Sequence, residues 1–308
     1  MNTKPFDQLR DYLLTYGVPE EVMRQAEVEN HFFTRENILS AVNAIANDIL
    51  TYPFPSITPK YRSCVVIMAG NIPLVGFVDL LCCLVAGVDT YIKPSSKDRV
   101  LMSWVVEKLS AFGCKNLFLW NEAVVVESVI ATGSNNANRY FELQFGDLPM
   151  VKRGSRTSVA VIDGTETDDE IMALWHDIFD YFGLGCRSVS HLFIPLGYDT
   201  SHLFSLLSSY RKIENSHFLN AYRQVRALKI MTGSPFFDGS FFVASHSVSL
   251  TPALGEITYS FFDPTVLDRT RDLLQCVVGH GFIPFGEAQH PALTDWADGV
   301  DLFRFFGC

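Results

Sequence analysis

The sequence predicts an α/β architecture of two bodies, the first a doubly wound parallel sheet with helices on both faces. Three observations carry this. Residues 63–68 form an unbroken apolar run, as a parallel strand buried on both faces requires. From there the pattern reads strand, helix, strand, helix, strand, an order that builds a parallel sheet. Gly87 and Gly113 each follow a helical stretch, where a left-handed C-terminal residue belongs.

The elements follow in chain order. Phe6, Leu9, Tyr12, Leu13 and Tyr16 recur at helical spacing, as do Ile38, Val42, Ile45 and Leu50. Thr34, with Asn37 three residues on, starts the second of these helices. Residues 51–61 hold Pro53, Pro55 and Pro59 and read as a surface linker. Ala69, Gly70 and Asn71 form the turn after the first strand, and Pro73 stands at a first helical position, where its missing N–H is harmless. That helix runs to about Ala86. Residues 90–93 are a short strand ended by Pro94, 98–112 a helix, and 117–120 and 124–126 further strands. Thr132, Gly133 and Ser134 precede a helix to about Gln144. Residues 158–162 read as strand, and 167–182 as helix with Asp168 and Asp169 in its first turn. Residues 189–194 read as strand, and helix and strand alternate from there to a last strand-like run at 302–306. The expected domains are 1–153, with N-terminal helices and a cofactor-binding sheet, 154–290, and a tail 291–308 packing back on the body.

The 308 residues suffice for two domains, and 48% hydrophobic with 19% charged residues is the composition of a globular chain. A net charge of −10 repels a phosphate backbone, so nucleic-acid binding is not expected. The N-terminus has no basic stretch followed by an apolar one, so a cytoplasmic protein is expected. Of the 7 cysteines, Cys64, Cys82, Cys83, Cys114 and Cys276 lie in apolar runs and read as reduced, buried thiols. No Cys-x-x-Cys pair or paired histidines suggest a metal. The apolar stretch 72–88 contains Pro73 and Asp79 and reads as a helix against a sheet, not a membrane span.

Four short motifs could carry chemistry. Cys186 lies in Gly183-Leu184-Gly185-Cys186-Arg187, a turn between helix and strand. Glycines there let a substrate approach, and Arg187 would favour a thiolate if directed at it; a further buried thiol is the bland reading. Asn71 sits at the C-terminal edge of the sheet, where open α/β folds bind ligands, and its amide can donate to an oxyanion; it is equally a good helix cap. Lys93, at a strand end, can reach a ribose or phosphate, or simply extend into solvent. Thr132-Gly133-Ser134 offers helix N-terminal N–H groups to a pyrophosphate, or only a cap.

In this order and spacing the motifs resemble those of the aldehyde dehydrogenase superfamily, and most closely the long-chain acyl-CoA reductases, the fatty-acid-reductase component of bacterial luminescence systems and its relatives. The resemblance runs from about Arg62 to about Gly286, with residues 182–193 its most specific part and Ile283-Pro284-Phe285-Gly286 a late match. It implies that Cys186 attacks the acyl carbonyl and that Asn71 with the Cys186 N–H holds the oxyanion. It implies Lys93 at the adenosine ribose, Thr132, Gly133 and Ser134 at the pyrophosphate, and Glu256 at the nicotinamide ribose. Hydrolytic members carry a glutamate that activates water; the matching stretch here, Lys152 to Arg156, has no carboxylate, which favours a thiol acceptor. Members preferring NAD carry a glutamate where Ser96 stands, and Lys97 and Arg99 add positive charge, so NADPH is expected, with NAD the alternative. The implied activity is reduction of a fatty acyl-CoA, or another acyl thioester, to the aldehyde through a Cys186 thioester, in a cleft between the domains. Two alternatives stay open: an aldehyde-oxidising dehydrogenase, and a catalytically weak acyl-binding or acyl-transfer subunit. The chain is shorter than typical members and its 51–61 segment replaces their oligomerisation hairpin; homo-oligomers or acyl-transferring partner proteins remain open too.

Overall fold

The structure is a computed structural model that describes residues 3–307, the Asn135 side chain excepted. The chain divides into two compact units, Met1–Ser155 with Pro291–Cys308, and Arg156–His290.

The first unit opens with three helices, α1 (Lys4–Tyr16), α2 (Glu20–Glu29) and α3 (Arg35–Ala44). Thr34 caps α3, accepting the Asn37 N–H. After a π-helical turn at Ile45–Ile49 and a stretch without helix or strand come β1 (Ser63–Ile67), α4 (Phe77–Ala86), β2 (Asp89–Lys93), α5 (Arg99–Ala111), β3 (Leu117–Leu119), β4 (Ser128–Thr132), α6 (Asn135–Phe145) and β5 (Met150–Arg153). The five strands pair in the order β3-β2-β1-β4-β5, every neighbour parallel. The chain winds from β1 out to β3 and then returns to place β4 on the other side of β1. That reversal makes β1 and β4 the switch point, and ligands of open α/β sheets bind beyond the C-terminal ends of such strands.

The apolar stretch around residue 80 is α4, buried along nearly its whole circumference; Leu80, Leu81, Cys82 and Cys83 have almost no exposed surface. Each such leucine contributes about 1.5–3 kcal/mol by burial. Among the described residues no helix is long and apolar enough to cross a membrane. The helix begins at Phe77 and not at Pro73: Ile72 to Gly76 form a turn in which Leu74 is left-handed, φ 57°. The strand expected at 124–126 is absent; the next strand is β4, which lies inside the sheet between β1 and β5. Residues 302–306 are a helix, α11 (Leu302–Phe306), capped by Asp301, whose Leu302, Phe303 and Phe306 enter the core of this unit.

The second unit contains β6 (Thr157–Val161), α7 (Asp168–Phe179), β7 (Val189–Ile194), α8 (Thr200–Tyr210), α9 (Ser216–Thr232), β8 (Phe237–Asp238), β9 (Val243–His246), β10 (Glu256–Phe261), α10 (Thr265–Thr270) and β11 (Leu274–Val278). Its sheet runs β11-β6-β7-β10-β9-β8, parallel except for the short β8–β9 pair. A capping box starts α7: Thr167 accepts the Glu170 N–H and the Glu170 carboxylate accepts the Thr167 N–H. The helix ends at Phe179, three residues earlier than its periodicity suggests, because Tyr181 and Phe182 adopt left-handed backbone.

Candidate active site

In the first unit, strand register gathers most of the candidate residues at one sheet edge. Ile67 of β1 pairs with Lys93 of β2 on one side and Ala131 of β4 on the other. Asn71 and Ser134 therefore lie four and three residues beyond the level ends of adjacent strands, and Thr132 pairs with Arg153. Asn71 is half-buried and six residues ahead of α4, whose N-terminal cap position is Gly76; it does not cap that helix. Ser134 does cap α6, its hydroxyl accepting the Ala137 N–H at 3.3 Å. Lys93 is exposed, with Nζ 5.1 Å from the centre of the Trp120 ring. Gly70 lies so close to the next loop that a Cβ would stand 2.7 Å from Ser95 Cβ.

Three residues without a sequence motif organise this edge. Asp98 is buried and its Oδ2 accepts the Leu74 N–H at 2.8 Å, holding the turn that follows Asn71. Burial pushes its carboxyl up to about 8, against the opposing pull of that one backbone hydrogen bond, and the Glu29 charge adds to the rise. Glu29 accepts the Arg99 and Val100 N–H groups at 2.8 and 2.9 Å, capping α5, and lies 3.4 Å from the Arg99 guanidinium. Asn30 donates to the carbonyls of Gly70 and Lys97. Ser96 and Lys97 are exposed. Of the two cations expected beside Ser96, Arg99 thus already faces a carboxylate.

The stretch 152–156 is cationic, and each of its three charged side chains has a partner. Lys152 pairs with Glu142 at 2.5 Å, and Arg153 with the buried Asp79 at 2.9 Å. Arg156, in the second unit, donates to the Leu274 carbonyl. A carboxylate does reach this stretch from afar: Asp298 accepts the Gly154 N–H at 3.3 Å.

In the second unit, Cys186 is half-buried in the turn between α7 and β7. Three successive left-handed residues lead into it, Tyr181 (φ 54°), Phe182 (φ 58°) and Gly183 (φ 69°). Only glycine adopts this conformation freely; the two aromatic residues each store strain, of order 1–3 kcal/mol. The turn is pinned from behind. Ser158 on β6 donates to the Cys186 carbonyl at 2.9 Å, and Arg187 Nε donates to the Ala288 carbonyl at 2.5 Å. Cys276 is buried, its Sγ 3.1 Å from Ser158 Oγ.

Glu256, at the start of β10, is paired within its own unit: its Oε1 lies 2.6 Å from Lys229 Nζ and accepts from Ser245 Oγ at 2.7 Å. It lines a cavity of about 260 Å³ with Phe179, Phe182, Leu184 and Phe218. Asp163, Glu166 and His280 bring ligand atoms within 4.8 Å of one another, a grouping no sequence motif announced. Those atoms are spent locally: His280 bonds Asp163 and Glu170 through its two ring nitrogens, and Glu166 accepts the Asp163 and Gly164 N–H groups.

No protein-family model matches the sequence, and no curated protein matches it. Solved structures do match the fold. A mutant aldehyde dehydrogenase C of Pseudomonas syringae, complexed with NAD+ and octanal, has a TM-score of 0.62 at 11% identity, covering 85% of this chain and 67% of that one. The aldehyde dehydrogenase KauB of Pseudomonas aeruginosa has a TM-score of 0.67 at 13% identity, covering 90% and 70%. A mutant aldehyde dehydrogenase of Bacillus cereus has a TM-score of 0.66 at 14% identity, covering 91% and 72%. The two α/β sheets are those of the aldehyde dehydrogenase fold.

Proposed function

We propose that the chain reduces a fatty acyl-CoA to the aldehyde with NADPH, holding the acyl group as a thioester on Cys186. The observation that carries this reading is the Cys186 turn: a half-buried thiol on backbone strained at Tyr181 and Phe182, in a fold shared with aldehyde dehydrogenases.

The residues at the switch point suit a dinucleotide. Gly70 and Gly133 keep the backbone bare where a Cβ would collide with Ser95 or Ala137, and α6 starts there with its N-terminal dipole. Lys93 would serve the adenosine ribose, Thr132, Gly133 and Ser134 the pyrophosphate, and Glu256 the nicotinamide ribose. Exposed Ser96 and Lys97 tolerate a 2′-phosphate, while Glu29 at Arg99 limits that advantage. Bound there, the cofactor supplies a hydride.

The Cys186 thiolate attacks the thioester carbonyl; a new C–S bond forms, the bond to coenzyme A breaks, and coenzyme A leaves as its thiolate. The family resemblance assigns the oxyanion to the Asn71 amide and the Cys186 N–H. Once a hydride reached the carbonyl carbon, the resulting thiohemiacetal anion would collapse, its C–S bond breaking to release the aldehyde and return Cys186 as the thiolate. No carboxylate within 152–156 would divert the thioester to water.

A second reading, aldehyde oxidation, draws on one observation: Asp298 lies at the Gly154 N–H, where it would supply the base that the stretch itself lacks. NADPH consumption with a panel of fatty acyl-CoA thioesters, compared between wild type and Cys186→Ala, tests the proposal. The expected result is aldehyde formation abolished in the variant. Acid formed from aldehyde by the wild type would favour the second reading. Stable acylation of Cys186 without cofactor oxidation would favour an acyl-transfer subunit.

A further inference from the structure

Asp177 is completely buried near the end of α7, nine residues before Cys186, and no part of the proposed chemistry uses it. Its two carboxylate oxygens are divided between two backbone donors of one loop: Oδ2 accepts the Gly286 N–H at 2.7 Å and Oδ1 the Ala288 N–H at 2.8 Å. The same loop grips the cysteine turn. The Ala288 carbonyl accepts from Arg187 Nε at 2.5 Å, and Gln289 Nε2 donates to Ser188 Oγ at 3.3 Å. Asp177, the 286–289 loop and the residues just after Cys186 thus form one connected chain of hydrogen bonds within the second unit.

We infer that Asp177 is a positioning residue: through the 286–289 loop it locks Arg187 and Ser188, and so fixes the Cys186 turn in its strained form. Burying a carboxylate is costly unless its hydrogen bonds repay it. Burial raises this one to about 6, with the Gly286 and Ala288 N–H groups pulling the other way, so at neutral pH it is the anion that accepts both. The turn needs such a lock, because three left-handed residues precede the cysteine and would relax if released. An asparagine cannot replace the aspartate. Its NH2 would face one of the two N–H donors, setting donor against donor.

This inference rests on the proposed role of Cys186, and its test has one arm that does not need turnover. Iodoacetamide alkylation of Cys186, followed by peptide mass spectrometry, is compared among wild type, Asp177→Asn, Arg187→Ala and the double variant at neutral pH. Release of the turn should raise the alkylation rate at least threefold in each single variant, and the double variant should gain no more than the larger single effect, since both substitutions open one latch. With acyl-CoA and NADPH, Asp177→Asn should lower kcat at least tenfold while the KM for NADPH stays within twofold. Unchanged alkylation in both single variants, or multiplicative effects in the double, would overturn the latch whatever the turnover. No turnover in the wild type with enhanced alkylation in both variants would sink the proposed reaction and leave the latch standing.

Discussion

At the scale of the residue, the proposed reaction places its chemistry on Asn71 and Cys186, and Asn71 is the sharper test of assignment. A donor to an oxyanion is typically worth on the order of a hundredfold in rate. Asn71 lies outside α4 and does not cap it, so Asn71→Ala should lower kcat by about that factor without the loss of melting temperature that removing a helix cap brings. Steady-state kinetics beside thermal unfolding check both halves; a loss of stability with intact turnover would mark Asn71 as a structural residue. Asp79 and Arg153 make the opposite case. Both are buried, 2.9 Å apart, on elements of the same unit. Removing one partner of a buried pair typically costs about 3–5 kcal/mol, because the other charge is left without compensation. Asp79→Ala should show a loss of that order in denaturant unfolding, whereas a loss below about 1 kcal/mol, the scale of exposed pairs, would contradict it. Neither Asp79, Asp98, Asp177 nor Glu29 was legible as an organiser from the sequence. Each is a single carboxylate, and its partners stand 24 to 111 residues away in the chain for Asp98 and Asp177.

At the scale of the element, what periodicity could show depended on burial. Residues 63–68 announced β1 because a central parallel strand is apolar on both faces. The five residues of β4 mix Ser128, Ala131 and Thr132 with two aliphatics, too short and too mixed to stand out from their surroundings. Residues 302–306 read as strand because Phe-rich runs favour extended structure; the Asp301 cap and burial against α4 make them helical. The turn after β1 was mistaken for helix because Pro73 is a good helix starter. What diverts it is Asp98, which takes the Leu74 N–H. That contact has a pH signature. The folded pKa of Asp98, about 8, lies above the ordinary 3.8, so the folded state holds a proton that the unfolded chain releases. The stability it contributes is complete below the unfolded value and falls away as pH rises through about 8. Asp98→Asn keeps an acceptor for Leu74 and does not titrate. Between pH 5 and 9 the wild type should therefore lose more of its melting temperature than the variant; parallel curves would show that Asp98 is ionised in the fold throughout.

At the scale of the whole molecule, the α/β class was readable from the order of strand, turn and helix and the family of folds from the resemblance of four short motifs in order, while no single motif identified the reaction. The four short motifs lie at the ends of strands or between a helix and a strand, where ligand sites arise in parallel α/β folds. The chain reaches this fold with only 67–72% of the length of the aldehyde dehydrogenases compared above covered. The central claim is that Cys186 carries an acyl group that is then reduced. Its most direct test is intact-protein and peptide mass spectrometry after mixing the protein with a fatty acyl-CoA, first without NADPH and then with it. The account predicts a single acyl adduct on Cys186 that disappears on adding NADPH as free aldehyde appears. An adduct on another cysteine, or none on folded protein that still consumes NADPH, would contradict it.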